Sequence, residues 1–337
     1  MWKRTTKLDR NSLASEREGV GNVAGNAPAP SLLQRLSTTL NRQTQRTALG
    51  SGRQAYLFIL PGLLIYAIFV LVPIFSTVRY SFYDWTGFSP PSYIGMENYS
   101  ELLHDPDVWR AISNNAFFII FYTIIPILIG LFLTSLLTRG KLRGMALFRT
   151  GLFIPQVMSP VVVGIIWRWL FTLDGPINQL FVNLGLTSWA RPWLGDFVYA
   201  RYAVGFVGSW VEYGLCMVLF MAGVQSINEE LYDAAKVFGA NAWQQFRFVT
   251  VPGLRQQILV AFILTFIAAL RVFDLVFVLT NGGPGKTTIV TSYLVYDETF
   301  QKNRAGYGAA IAVTLALVII VVSATVNWLQ VRGEADA

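Results

Sequence analysis

The chain has 337 residues, of which 54% are hydrophobic and only 13% charged. A soluble domain carries about 25% charged residues, so the deficit excludes an ordinary soluble protein and points to a polytopic membrane chain. A net charge of +7 would suit nucleic acid, but the basic residues sit in a tail and in loops, and the single Cys216 excludes an internal disulfide or a cysteine metal cluster.

Residues 1–54 are polar and hold nine basic residues, Lys3, Arg4, Lys7, Arg10, Arg17, Arg35, Arg42, Arg46 and Arg53, against three acids. That composition predicts a solvated, mostly disordered tail, with a short surface helix near 31–40. No apolar stretch follows the first basic residues at once, so a cleavable signal peptide is not expected. Six apolar segments follow, near 55–80, 112–138, 150–171, 202–225, 257–280 and 306–329. At about 1.5 Å per residue each can cross roughly 30 Å of hydrocarbon. Helices are expected, because a lipid-exposed backbone must satisfy its polar groups within its own segment. Pro73, Pro126, Pro155 and Pro160 predict kinks or helix starts. Cys216 reads as a small core residue, and His104 as surface in a polar loop.

Loop charges give the orientation. Residues 139–149 hold Arg139, Lys141, Arg143 and Arg149 without an acid, whereas 81–110 hold Asp84, Glu97, Glu101, Asp105 and Asp107 against Arg110. Both termini, 139–149 and 226–256 are therefore expected in the cytoplasm, and 81–110, 172–201 and 281–305 outside.

The stretch 228–254 lies between two apolar segments. Asn228 is an N-cap residue, and Glu229 and Glu230 occupy the first turn, where carboxylates favour the positive helix end. Leu231, Ala234, Ala235 and Phe238 form one apolar stripe. Gly239 is a C-terminal stop, Asn241 and Gln244 form a capping box for a second short helix, and Pro252 is expected to end it. A surface connector or a helix-turn-helix shares this outline, although membrane-length flanks speak against the latter. Asp233-Ala234-Ala235, Gly239-Ala240, Phe246 and Pro252-Gly253-Leu254 resemble the EAA loop of binding-protein-dependent ABC importer permeases, with Asp in place of the usual Glu. The resemblance implies that Glu230, Leu231, Tyr232, Asp233, Ala234, Ala235, Lys236, Phe238, Gly239, Ala240, Phe246 and Pro252 couple the chain to an ATPase subunit.

Thr280–Thr287, TNGGPGKT, approaches a phosphate-binding loop. It lacks the first glycine and follows a helix rather than a strand, so a sharp turn is expected instead. Leu279 to Gly285 also resembles the LTxGGPG signature of carbohydrate-uptake permeases, of the type of the larger maltose or glycerol-phosphate subunit. Arg271 and Asp274, three residues apart, are expected on one face of the fifth segment, roughly 20 Å from its cytoplasmic end. Charges at that depth form an ion pair or line a watered path, with Phe273 and Phe277 as stacking faces for a sugar. Glu212 and Tyr213 are a second polar intrusion, with Glu212 expected near the outer end. Asn281, Gly282 and Gly283 complete the candidate path. Trp210 is a possible sugar-binding face, and Trp167 and Trp169 read as interfacial anchors. No catalytic constellation is recognisable.

The organisation read from the sequence is a tail over 1–54, a six-helix all-α permease domain over 55–330 and a short tail over 331–337. The resemblance implies a type I ABC importer permease for a carbohydrate or polyol in a bacterial or archaeal inner membrane. It implies a second homologous permease, two ATP-binding subunits carrying ATP and Mg, and an extracytoplasmic solute-binding protein. The chain itself is expected to bind no cofactor and no nucleic acid, and to be surrounded by membrane lipid. The alternative is an ion-coupled secondary transporter, marked by acidic residues in several helices and an internal repeat.

Overall fold

The computed structural model describes residues 52–139 and 144–335. The helix expected near 31–40, and Lys141 and Arg143 of the basic loop, lie outside these residues. Contacts divide the chain into two units between Phe69 and Val70. The first contributes the helix Gly52–Tyr66, where Tyr56, Phe58 and Ile59 are exposed. The second contributes the elements from Val72 onward.

Four helices are long and apolar enough to cross a membrane: Phe58–Tyr80, Pro106–Leu137, Tyr199–Val224 and Ala305–Trp328. Two bent pairs raise the number to as many as six where each pair counts as one span: Leu147–Val157 with Pro160–Leu170, turned by 95°, and Ala242–Gly253 with Arg255–Arg271, turned by 70°. The last helix continues to Ala335. A two-stranded antiparallel hairpin pairs Tyr83 with Tyr93 and Asp84 with Ser92. His104 closes the helix Glu97–His104 rather than lying in a loop, because its Nδ1 meets the Ser100 carbonyl at 2.8 Å, one turn back.

Three prolines in these helices follow a π-helical turn: Ala67–Leu71 precedes Pro73, Ile120–Ile124 precedes Pro126 and Phe246–Thr250 precedes Pro252. Proline lacks an amide, and its ring crowds the carbonyl four residues back. The wider turn moves the bonding to i→i−5. Thus the Ile125 amide donates to Ile120 O, and the Val251 amide to Phe246 O. The next carbonyl in that register, Phe121 O, faces the missing amide of Pro126. Ser209 of the neighbouring span donates to it instead, at 2.5 Å. The same device corrects the expectation for Pro252: the helix runs on through Gly253 and breaks at Leu254, at φ −94° and ψ 7°.

Two predicted spans are not single helices. Ahead of Pro160, Ser159 is extended at φ −59° and ψ 131°, as a residue before proline prefers, and the third segment bends there. In the fifth segment, Arg255–Arg271 stops and Asp274–Thr280 starts after Val272 and Phe273. Arg271 and Asp274 therefore do not share a helix face, and among the described residues no ion pair joins them. The buried Asn115 holds the break. Its Nδ2 donates to Ala269 O at 3.1 Å and Leu270 O at 3.3 Å, and its Oδ1 accepts from Thr291 N at 2.9 Å and Thr291 Oγ1 at 2.8 Å. Carbonyls freed inside a membrane need such partners.

The larger core cluster gathers Phe118, Val163, Val204, Val207, Val276, Val290 and Leu294, and a second gathers Ile127, Leu131, Cys216, Phe220, Leu254 and Ala261. Small residues let the spans approach closely. A Cβ at Gly208 would sit 2.2 Å from the Tyr122 ring, and one at Gly130 would sit 2.7 Å from Cys216 Cβ. Cys216 is fully buried, as its apolar surroundings predicted.

Candidate functional site

Two sites emerge at different levels of the bundle. The first is the knuckle between the fourth and fifth spans. Asn228 Oδ1 accepts from Glu230 N at 3.0 Å and starts the helix Glu229–Val237. The helix stops as predicted. Gly239 takes φ +76°, its amide donates to Lys236 O at 2.9 Å, and the Ala240 amide donates to Ala235 O at 2.9 Å. This paired closure satisfies two end carbonyls and favours glycine at the left-handed position. The Asn241–Gln244 capping box is formed in both directions, at 2.9 and 2.8 Å. Tyr232 Oη meets Thr250 Oγ1 at 3.0 Å and links the two short helices, while Asp233 and Lys236 form an exposed pair at 2.9 Å.

Phe246 packs partly buried against the second core cluster and anchors the knuckle to the spans. The opposite side is open. Phe238 is 90% exposed and Val237 85%, and Leu231, Trp243 and Phe248 are exposed as well. Ala234 is exposed, Ala235 and Ala240 are half-buried, and Pro252 is exposed. Behind the knuckle lies a cavity of about 810 Å³, lined among others by Arg149, Tyr232, Asp233, Lys236 and Gln245.

The second site is a cavity of about 490 Å³ beside the break in the fifth segment. Glu212, Arg271, Phe273 and Asp274 line it together with Tyr122 and Pro160. Glu212 sits in the middle of the 26-residue helix Tyr199–Val224, not near an end as its sequence position suggested. The helix begins earlier than the apolar run does, because Asp196 accepts from the amides of Val198 and Tyr199 and starts it outside the apolar stretch. Arg271 stands roughly 26 Å along its helix from Leu254, at about 1.5 Å per residue. Arg271 and Asp274 are exposed and Glu212 is half-buried.

Phe277 stacks on Phe273 at 5.3 Å and is one ring behind the cavity wall. Tyr213 faces elsewhere, lining a separate apolar cavity of about 260 Å³ with Trp210 and Phe121. Trp167 is not a simple interfacial anchor: it packs against Phe171, Phe206 and Trp210 at 5.3 to 5.5 Å, whereas Trp169 is 62% exposed. Sequence reasoning did not identify Tyr122 or Asn115 as site residues. Two adjacent asparagines, Asn114 and Asn115, inside an apolar run were the available signal for the second.

Asn281, Gly282 and Gly283 do not line this cavity. They form the turn that ends Asp274–Thr280, with Asn281 at φ 51° and Gly282 at φ 78°. Thr288 closes the turn by donating to Gly283 O at 2.8 Å. The amides of Gly283, Thr287 and Thr288 are spent on Thr280 O, Pro284 O and Gly282 O, and Lys286 pairs with Asp107. A phosphate cradle needs those amides and that lysine free, so the phosphate-loop likeness is only a likeness.

The family model described as "Binding-protein-dependent transport system inner membrane component" matches residues 127–332. A probable ABC transporter permease of Pyrococcus horikoshii is 36% identical over 82% of this chain and 96% of its own length. The lactose transport system permease protein of Rhizobium radiobacter is 32% identical over 82% of this chain and 92% of its own. Among solved structures, a bacterial alginate ABC transporter in complex with an alginate pentasaccharide-bound periplasmic protein superposes with a TM-score of 0.72. That match covers 85% of this chain and 96% of the other at 22% identity, and so speaks for the fold. None of these matches favours an ion-coupled transporter. With a polar knuckle between its fourth and fifth apolar segments and a cavity beside the break in the fifth, the chain belongs to the binding-protein-dependent inner membrane permeases of ABC importers.

Proposed function

We propose that this permease moves a carbohydrate or related polyol across the cytoplasmic membrane of a bacterium or archaeon, and that the knuckle 228–254 is its coupling element to an ATPase. The sugar class is supported by the lactose-transporting relative and by the signature from Leu279 to Gly285. The partners of this reading are a second homologous permease, two ATP-binding subunits that hold ATP and Mg, and an external solute-binding protein. Loop charges support a cytoplasmic knuckle and cytoplasmic termini.

The observation that carries the reading is the open apolar end of the knuckle, where Phe238 is 90% exposed on a helix fastened at both ends. An aromatic left in water on a rigid, capped element is a contact residue. Leu231, Ala234 and Ala235 extend the same face, and small alanines allow close approach. Glu230, Tyr232, Asp233 and Lys236 shape and charge it, Gly239 and Ala240 close it, and Phe246 and Pro252 tie it to the fifth span. When the ATPases close, the knuckle transmits the displacement to Arg255–Arg271 through the buried Leu254.

The solute path runs through the mid-depth cavity. Charges exposed at that depth do not face lipid, which supports Arg271, Asp274 and Glu212 as its polar wall, with Phe273 as a stacking surface. Phe277 backs the wall through its stack on Phe273, whereas Tyr213, Asn281, Gly282 and Gly283 lie away from it. The test is cross-linking. A photoreactive probe on Ala234→Cys should capture the ATPase subunit in the assembled importer and respond to ATP. Capture of lipid or solvent alone, with transport intact, would overturn the coupling role.

A further inference from the structure

We infer that residues 173–189 form a membrane-surface anchor. The short helix Pro176–Asn183 and the turn after it lie in the phospholipid headgroup layer opposite the knuckle, with their leucines turned into the acyl chains. The segment joins the helix Pro160–Leu170 to the helix Tyr199–Val224. The latter runs on into the knuckle at its other end, and its 26 residues make roughly 39 Å at about 1.5 Å per residue. A hydrocarbon layer is roughly 30 Å thick, so the Tyr199 end, and the segment attached to it, stands at the level of the headgroups.

The segment is fastened on one side and bare on the other. Asn178 is buried, its Nδ2 donates to Thr172 O at 3.1 Å and Arg191 O at 3.0 Å, and its Oδ1 accepts from Arg191 N at 3.2 Å and Trp193 Nε1 at 2.9 Å. Two residues on, about 200° round the helix, Leu180 faces the other way, and Leu184 follows one turn later on the same side. Gly185, at φ +75°, closes the helix: its amide donates to Val182 O at 3.0 Å, and the Leu186 amide to Phe181 O at 2.8 Å. Leu173, Leu180, Leu184, Leu186 and Trp189 are left 44 to 63% exposed on this ordered surface. The exposed Trp169 continues it to Ile165 and Ile166, also exposed, one turn further into the adjoining helix. Arg191 borders it, held over the Tyr199 ring at 4.2 Å. Tryptophan and tyrosine collect at the boundary between lipid and water, and arginine reaches from it to the headgroups. A solute-binding protein would leave these leucines in water each time it departs, whereas lipid covers them throughout.

The test uses the assembled permease–ATPase complex in nanodiscs of phosphatidylethanolamine and phosphatidylglycerol, doped with phosphatidylcholine that carries a nitroxide near the top of its acyl chain. A bimane is attached at Leu180→Cys or Leu184→Cys, with Gln179→Cys, exposed and about 100° round the helix from Leu180, as the control. Cys216, the single cysteine, is fully buried and does not compete for the label. The lipid nitroxide should quench the labels at 180 and 184 at least about twice as strongly as the control, because an in-plane helix sinks its apolar face by roughly 5–10 Å. Saturating solute-binding protein should leave that quenching unchanged. Leu180→Asp should cut the quenching at Leu184→Cys by about half or more, since a charge lifts the face towards water. Both label sites are exposed and leave the core intact, so either alone decides the question. Labels open to iodide in the water overturn the anchor, whether or not the solute-binding protein then covers them. Labels hidden from both lipid and water overturn it in favour of a neighbouring permease.

Discussion

Phe238→Ser separates association from folding. Phe238 is 90% exposed, so the fold gains almost nothing from its ring. Substitutions at such positions change fold stability by about 0.5 kcal/mol or less. Full burial of a phenylalanine is worth about 1.5–3 kcal/mol, and nearly all of that remains available to a partner. Since each 1.4 kcal/mol is tenfold in affinity, the variant should bind its ATPase about 10- to 100-fold more weakly. The assay is ATPase titration onto the permease in nanodiscs, read beside the melting temperature of the same preparation. Phe88, 93% exposed in the hairpin region far along the chain, is the control, and Phe88→Ser should leave ATPase affinity unchanged. An unaltered affinity for Phe238→Ser, or a melting temperature that falls in step with affinity, would refute the reasoning.

Other consequences follow from the same geometry. Gly239→Pro should abolish transport while membrane insertion persists, because proline fixes φ near −65° and Gly239 holds +76°; normal uptake would count against the knuckle. Asn115→Ala should destabilise the chain by about 3 kcal/mol or more in denaturant titration, since it strips partners from buried groups of Ala269, Leu270 and Thr291; a loss under about 1 kcal/mol would mean that the break holds itself. At Asp196, the amides of Tyr199 and Val198 hold the carboxyl below its ordinary value of 3.8. A lowered folded-state pKa gives stability that is present above that value and lost as pH falls through the folded one. Asp196→Ala should therefore flatten the acid limb of a melting-temperature profile taken below pH 5, and an unchanged limb would exclude this cap as a contributor.

Much of the knuckle was legible in the sequence. Its caps join residues two to five apart, so Asn228, Gly239, Asn241 and Gln244 announce themselves by spacing. Pro252 misled because its effect depends on the turn before it. A π-helical turn absorbs the missing amide, and residues 246–250, FRFVT, carry no pattern that announces that turn. Pro160 behaved as a proline should, but the size of its bend was not readable. The break at Val272–Phe273 contains neither glycine nor proline, so it left no local mark at all.

The sequence by itself determined the six apolar segments, the all-α class and the knuckle, because segment length, hydropathy and capping act over one or two turns of chain. Only the tertiary structure decided where the fifth segment breaks and which charges meet. Asn115 satisfies carbonyls more than 150 residues away. Glu212 shares a cavity with Arg271 and Asp274 because two spans are held against each other. Contacts of that kind depend on how helices are arranged in three dimensions, and a pattern read along one helix at a time does not contain that arrangement.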